Sequence, residues 1–216
     1  MDWLISDLFP KSLVNRLRSG EERFVVTGAT GWFGSLTVGL LDEIHGADTT
    51  QRVDAFANRP RVLLTRTGRV IPVFAIEDLP SLAVSDRPLY ILHFGFGVPA
   101  RAAAPLTSAG SGEIVTAAMS ALQPRGLCYP SSGAVYGQSG SERVLEYGRQ
   151  KAIDEANFRK VSAAVGATVV IPRVFAVGGP CSPDPRRYLL GELVLDALAR
   201  TPLRLRSATR VYRSYV

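Results

Sequence analysis

"VVTGATGWFGS", Val25 to Ser35, sits between two segments of different periodicity. Ahead of it, "RFVVTG" (23–28) is a short apolar, β-branched run that reads as a buried strand. Behind it, Phe33, Leu36, Leu40, Leu41 and Ile44 recur at helical spacing. Gly28, Gly31 and Gly34 lie at the junction. Glycine has a physical reason to be there: the chain turns sharply, its backbone approaches a pyrophosphate, and the helix N-terminus offers N–H groups to negative charge. Strand, glycine turn and helix in that order predict the first β–α unit of a dinucleotide-binding sheet. The competing reading is a tight turn that binds nothing.

Beyond this unit, strand-like and helix-like segments keep alternating, which predicts a parallel α/β sheet. "RVDAFAN" (52–58) is a second strand, "LYILHFGFG" (89–97) a fourth, "GLCYPSS" (126–132) a fifth and "ATVVIPRVF" (167–175) a sixth. "RVLLTRTGRVIPVFAI" (61–76) carries two β-rich runs around Thr67-Gly68, expected as a hairpin or an insertion before the third core strand. Helices are expected over "SGEIVTAAMSAL" (111–122), over 147–165 and over "YLLGELVLDALAR" (188–200).

The 216 residues, 46% apolar and 20% charged, suffice for one domain with a real core, or one and a half. The net charge of +6 and pI of about 9.7 fit an anionic small molecule as well as nucleic acid. Scattering of the arginines (Arg59, Arg61, Arg66, Arg69, Arg186, Arg187, Arg204, Arg206, Arg210, Arg213) weighs against nucleic acid. Cys128 and Cys181 have neither metal-type spacing nor a disulfide framework, and they fit buried thiols in a reducing cytoplasm. His45 and His93 are too few and too far apart for a zinc site, so no metal is expected. No stretch approaches the roughly 20 apolar residues of a membrane span. The first residues, "MDWLISDLFPKSLVNRLRSG", show no cationic start and no cleavage site. Their apolar stripe (Trp3, Leu4, Leu8, Phe9, Leu13, Leu17), broken by Pro10, is expected to pack on the domain or on a partner subunit rather than on a membrane surface.

Two further motifs follow the glycines. "SSGAVYG" (131–137) closes the fifth strand, and "YGRQK" (147–151) begins a helical stretch. Residues four apart share a helix face, so Tyr147 and Lys151 reach into one cleft. A free tyrosine, with a pKa of about 10, is a poor base at neutral pH. A neighbouring ammonium stabilises the phenolate and improves it. Surface helices hold many such pairs; the order of the three motifs is what gives this one meaning.

"TGATGWFG", with its G-x-x-G-x-x-G spacing, "SSGAVYG" and "YGRQK" together resemble the extended short-chain dehydrogenase/reductases, specifically the NAD-dependent epimerase/dehydratase family that acts on nucleotide-sugars. The resemblance covers residues 23–216. It implies a doubly wound, mostly parallel Rossmann-type α/β sheet and NAD or NADP as cofactor. In that family the catalytic hydroxyl lies four residues before the tyrosine of the serine motif, so Tyr136 points to Ser132. The implied chemistry has Tyr147 taking a proton from a sugar hydroxyl as hydride leaves the same carbon. Ser132 hydrogen-bonds the developing carbonyl, and Lys151, together with the positive nicotinamide ring, lowers the tyrosine pKa and also holds the nicotinamide ribose. The implied cofactor contacts are Gly28, Thr30, Gly31, Trp32, Phe33 and Gly34 in the loop, Asn58 and Arg59 after the second strand, and Phe94, Gly95 and Phe96 on the fourth, joined by Tyr147 and Lys151. His93 is expected to be a partly buried structural residue.

Several positions depart from the family pattern. The acidic residue expected after the second strand, roughly twenty to thirty residues beyond the glycines, is replaced by "ANRPR". Arg59 or Arg61 there favours NADP over NAD, and Asp54 lies in the strand interior. "PRVFAVGGP" keeps Arg173, Gly179 and Pro180 of the family's R-x-x-N-x-x-G-P, but Ala176 replaces the substrate-contacting asparagine. Family dehydratases carry Thr-Asp-Glu where Ser132-Gly133-Ala134 stand, so epimerisation or oxidation–reduction is favoured over dehydration. Ser108 lies nearest to the asparagine that completes the family's tetrad. "RVYRSYV" resembles the family's R-D-Y-[IV], making Arg213 the implied diphosphate contact.

The expected organisation is an apolar extension over 1–22, a cofactor domain over 23–180 and the start of a substrate lobe over 181–216, the rest of that lobe being missing. A homodimer through the helices near 107–123 and 147–165 is implied by the resemblance. Two other readings stay open: a non-catalytic NAD(P)-binding sensor or scaffold, and a fragment or subunit completed by a partner chain.

Overall fold

Strand β1 (Arg23–Thr27) is buried along nearly its whole length, and it pairs in parallel with β2 (Val53–Ala57) on one side and β5 (Leu89–His93) on the other. The computed structural model describes residues 4–95, 108–137, 141–180, 182 and 184–203. Phe96 and Arg213, and with them Trp3 and Cys181, lie outside the described residues. The remaining strands are β3 (Arg61–Leu64), β4 (Val70–Ala75), β6 (Gly126–Cys128), β7 (Ser131–Ser132), β8 (Thr168–Val170) and β9 (Arg173–Val174). The helices are α1 (Lys11–Ser19), α2 (Trp32–His45), α3 (Thr49–Arg52), α4 (Ser108–Leu122), α5 (Glu142–Val165) and α6 (Leu189–Leu198).

The main sheet has seven strands in the order β3-β4-β2-β1-β5-β6-β8, parallel throughout except for β3. From β1 the chain winds outward through β2 and β4, then returns and winds the other way through β5, β6 and β8. The reversal leaves a crevice at the carboxyl ends of β1 and β5, where doubly wound sheets bind ligands. Alternate side chains of β1 feed opposite faces, and both faces are apolar as a buried parallel sheet requires. Phe24 and Val26 join Val38 and Leu41 of α2, whereas Val25 and Ile91 join Val115 and Met119 of α4 and Phe158 of α5.

The expected hairpin is present, and its second arm is itself the third core strand: β3 and β4 pair antiparallel, Leu64 opposite Val70, while β4 pairs in parallel with β2. Its turn is held by buried Asp42 of α2, which accepts bonds from the Thr65 and Thr67 hydroxyls and from Arg69 Nε. These donors hold its carboxyl below the usual range despite burial. Asp54, in the interior of β2, is engaged by Arg23 at 2.6 Å. The N-terminal segment packs on the domain, but not along the expected stripe: Ile5 and Val14 bury against Leu40 and Ile44 of α2 with Phe9 and Leu17 beside them, whereas Leu4, Leu8 and Leu13 are exposed. Glu43 accepts the Ile5 and Ser6 N–H groups, and Gly39 leaves room for the Ile5 methyl, which a Cβ would meet at 2.8 Å.

β6 and β8, which the sequence reading counts as the fifth and sixth strands, are each shorter than their apolar runs. Both are interrupted by a proline, Pro130 and Pro172, and resume as the small β7–β9 ladder with the register carried over unchanged. Ser131 still donates to the Pro172 carbonyl at 2.8 Å, but Pro172 has no N–H to return to Tyr129.

Candidate active site

The glycine loop is built from main chain packed on main chain. Gly28 has φ +65, and a Cβ there would lie 2.6 Å from the Gly95 nitrogen. At Gly34 a Cβ would overlap the Gly28 carbonyl oxygen and lie 2.7 Å from Ala29 Cα. The Ala29 N–H donates to Phe56 of β2 and the Phe94 N–H to Thr27 of β1, tying the loop to both neighbouring strand ends. Gly31 differs: a Cβ there would come no closer than 3.2 Å to the Gly28 oxygen and would project toward the cleft that Gly31 lines. A bare backbone at the start of α2, open on the cleft side, fits the close approach of a pyrophosphate.

That cleft has a volume of about 660 Å³ and lies at the carboxyl ends of the strands. It gathers Gly31, Trp32, Phe33 and Gly34 from the loop, Phe94 after β5, Ser132 on β7, and Tyr147 and Lys151 on α5. Gly28 and Gly95 lie beneath it, against each other, and Thr30 is half-buried in the loop. Asn58 and Arg59 are exposed just beyond β2 and do not line the cleft. Ala176 does line it.

Ser132 caps a one-turn 3-10 helix, Gly133–Tyr136, by accepting the Ala134 N–H. Helix α5 reaches this turn through Gly148, where a Cβ would collide with the Ala134 carbonyl and lie 2.8 Å from its carbon. That contact brings Tyr147, one residue earlier, into hydrogen bonding with the Ser132 side chain. Burial pushes the Tyr147 phenol up from its ordinary value, the Ser132 bond opposes this, and the nearby Tyr188 phenol adds to it. The Lys151 ammonium lies 5.9 Å from the Tyr147 ring centroid.

Lys151 is only 4% exposed, and burial brings its ammonium down to about 8 against the pull of Asp154 and Glu155. It donates to the Pro130 carbonyl at 2.9 Å. β5 ends at His93, before the position that would pair with Pro130, so this carbonyl is left for the lysine. His93 proves fully rather than partly buried: bonded to Thr27, stacked on Tyr129 and held neutral by burial, with a pKa of about 3, it is structural.

Several contributors escaped sequence reasoning. Glu155, one turn beyond Lys151, is clamped by Arg173 at 2.8 and 2.9 Å and also paired with Arg159. Arg173 leads these bonds in holding the Glu155 carboxyl at about 2, and the clamp fastens α5 to β9. Tyr188, Leu189 and Glu192, at the start of α6, form another wall. Trp32 links that wall to the loop by donating to the Pro180 carbonyl at 2.6 Å and contacting Tyr188. Gly148 did carry a signal, since glycine inside a helix is costly unless something packs there. Among the described residues, no cluster of His, Cys, Asp or Glu could hold a metal ion, and no helix is long and apolar enough to cross a membrane.

Comparison with known proteins places this geometry. No curated protein sequence matches the chain. Its fold is similar to UDP-N-acetylglucosamine 4-epimerase from Methanobrevibacter ruminantium M1, with a TM-score of 0.60 and 19% identity over 84% of this chain and 64% of that one. It is similar to UDP-glucuronic acid 4-epimerase from Bacillus cereus in complex with NAD, with a TM-score of 0.57 and 19% identity over 84% and 64%. A UDP-N-acetylglucosamine 4-epimerase from Bacillus cereus gives 0.65 at 15% identity, over 90% and 67%. The chain thus spans 64% of the length of the first two structures. The model of the NAD dependent epimerase/dehydratase family matches residues 24–216, and the chain belongs to that family.

Proposed function

We propose that the cleft binds NAD or NADP and interconverts the hydroxyl and ketone forms of a sugar carried on a nucleotide, as an epimerase or reductase rather than a dehydratase. The observation that supports this best is the convergence of the glycine loop, Ser132, Tyr147 and Lys151 on one cavity. The nicotinamide, when bound, supplies the hydride acceptor. Tyr147 takes the hydroxyl proton, and Ser132, already bonded to that phenol, hydrogen-bonds the substrate oxygen as it becomes a carbonyl. Lys151 supplies positive charge below the phenol and a donor for the cofactor ribose. Tyr147 must gain more stabilisation as a phenolate than the protein's own groups give it, and a cationic nicotinamide held in the cleft would provide this. Gly133 and Ala134 offer no acid or base for eliminating water, which supports epimerisation or reduction.

Asn58 and Arg59, exposed beyond β2 where A-N-R-P-R carries no acidic residue, support NADP over NAD. Arg213 is proposed to grip the substrate diphosphate, and α4 and α5 to form a homodimer interface around the exposed Ile153. The test is thermal shift with NAD and NADP, followed by turnover of UDP-glucose, UDP-N-acetylglucosamine and their dTDP counterparts by wild type and Tyr147→Phe. Stabilisation by a dinucleotide, and turnover reduced about 100- to 10,000-fold in the variant, are expected. A chain stabilised by neither dinucleotide would end the cofactor reading. Undiminished turnover in Tyr147→Phe would remove the phenol from the chemistry.

A further inference from the structure

Behind Lys151 lies a carboxylate to which the proposed chemistry assigns no part. Asp154, one turn further along α5, is only 5% exposed. Its hydrogen bonds come from neutral donors, the Tyr129 hydroxyl at 2.6 Å and the Gln150 amide at 3.1 Å. A carboxylate kept from water needs compensating charge. Residues three apart share a helix face, which puts the Lys151 ammonium on the same side. The two charges bracket one ring: Asp154 holds the hydroxyl end of Tyr129, and the Lys151 nitrogen lies 4.2 Å from its centroid. An ammonium over an aromatic face is attracted by the ring's quadrupole, and more strongly where water is excluded. The place for the carboxylate is made by α4, where Gly112 lies so close that a Cβ would sit 3.2 Å from Asp154 Oδ1.

We propose that Tyr129 and Asp154 are positioning residues for Lys151: the ring is the seat of its ammonium, and the carboxylate fixes that seat and keeps the ammonium protonated. The consequence for turnover rests on the reading of Lys151 given above. The groups facing the ammonium are Tyr147, Asp154 and Glu155 on α5, Tyr129 between β6 and β7, and His93 on β5. His93 is neutral, and Glu155 is committed to Arg173 and Arg159. Asp154 thus acts on the lysine more strongly than Glu155 does, against a burial that brings the ammonium down to about 8.

The chain has three lysines, Lys11, Lys151 and Lys160, and the other two are exposed. Protein labelled with [13Cε]lysine therefore gives three resonances, followed by NMR against pH without cofactor or substrate. In wild type, one lysine should titrate at about 8, with its ε-protons displaced upfield by the Tyr129 ring. In Asp154→Asn, whose amide oxygen still accepts the phenol, that midpoint should fall by about one pH unit or more. Asp154→Glu should restore it. A purely structural Asp154 would change thermal stability without moving the midpoint, and that result overturns the proposal. So do three wild-type lysines that titrate together with no ring displacement, a test that needs no variant to fold. Dinucleotide binding plays no part in these measurements. A seated, titrating Lys151 in a chain that turns over no sugar would support the seat while the enzymatic reading falls.

Discussion

The two sides of the cleft are made differently. The loop from Gly28 to Gly34 is a backbone object: its shape is set by main chain against main chain, with Gly28 against Gly95 and Gly34 against Gly28 and Ala29. The opposite side, from Ser132 to Lys151, is a side-chain object whose groups are tuned by burial and by hydrogen bonds. At Gly28 and Gly34 the first side cannot accept an added atom, whereas the second can accept isosteric changes that leave shape intact and remove chemistry. Phosphate recognition needs a fixed array of N–H groups, and proton transfer needs a group whose charge can change.

Substitutions can break this contrast, beginning with the most damaging. Gly34→Val forces a side chain into the Gly28–Ala29 backbone and should cost about 3 kcal/mol or more in urea unfolding. A wild-type midpoint would show that the loop is softer than its packing suggests. Gly31→Val leaves the fold standing, since only one backbone oxygen lies near the added Cβ. Its expected effect is a loss of dinucleotide affinity of about 100-fold or more by calorimetry, with unfolding little changed. Unaltered affinity would detach the loop from the cofactor.

On the side-chain half, Glu155→Gln removes a charge whose carboxyl is held at about 2 by Arg173. Because the folded pKa lies below the ordinary 4.5, the stabilisation is complete above pH 4.5 and is lost as pH falls toward 2. The variant should be destabilised by roughly 2–3 kcal/mol at pH 7, with the gap closing between about pH 4.5 and pH 2. A gap independent of pH would mean that packing, not charge, is what the glutamate supplies. The smallest effect belongs to Arg59→Glu, beyond the rim of the cleft. It should shift preference from NADP toward NAD by about tenfold in the ratio of dissociation constants. No shift would place the discriminating contact elsewhere.

The backbone side was the more legible in sequence, because glycines at fixed spacing between a strand and a helix mark a tight turn with main chain against main chain. The mostly parallel α/β architecture followed from the strand–helix alternation, and the Thr67-Gly68 turn announced the hairpin. Less legible was anything that depends on long-range contact. Gly148 reads as a helix flaw until Ala134 is seen beneath it, and Glu155 as a solvated charge until Arg173 is seen opposite. The apolar runs of the fifth and sixth strands concealed their interruption, although Pro130 and Pro172 stood in plain view. Nor could pattern alone foretell that desolvation would push the Tyr147 phenol up, since that depends on depth of burial.

The interrupted strands have a mechanical consequence. Lateral hydrogen bonds stiffen a sheet, and at Pro172 one rung is missing while the proline rings fix the local torsions. The short ladder carrying Ser132 and Arg173, with Phe175 and Ala176 just beyond, is thus joined to the main sheet by one lateral bond fewer than an unbroken strand pair, and takes its position from α5 as well, through the Glu155–Arg173 clamp and the Gly148–Ala134 contact.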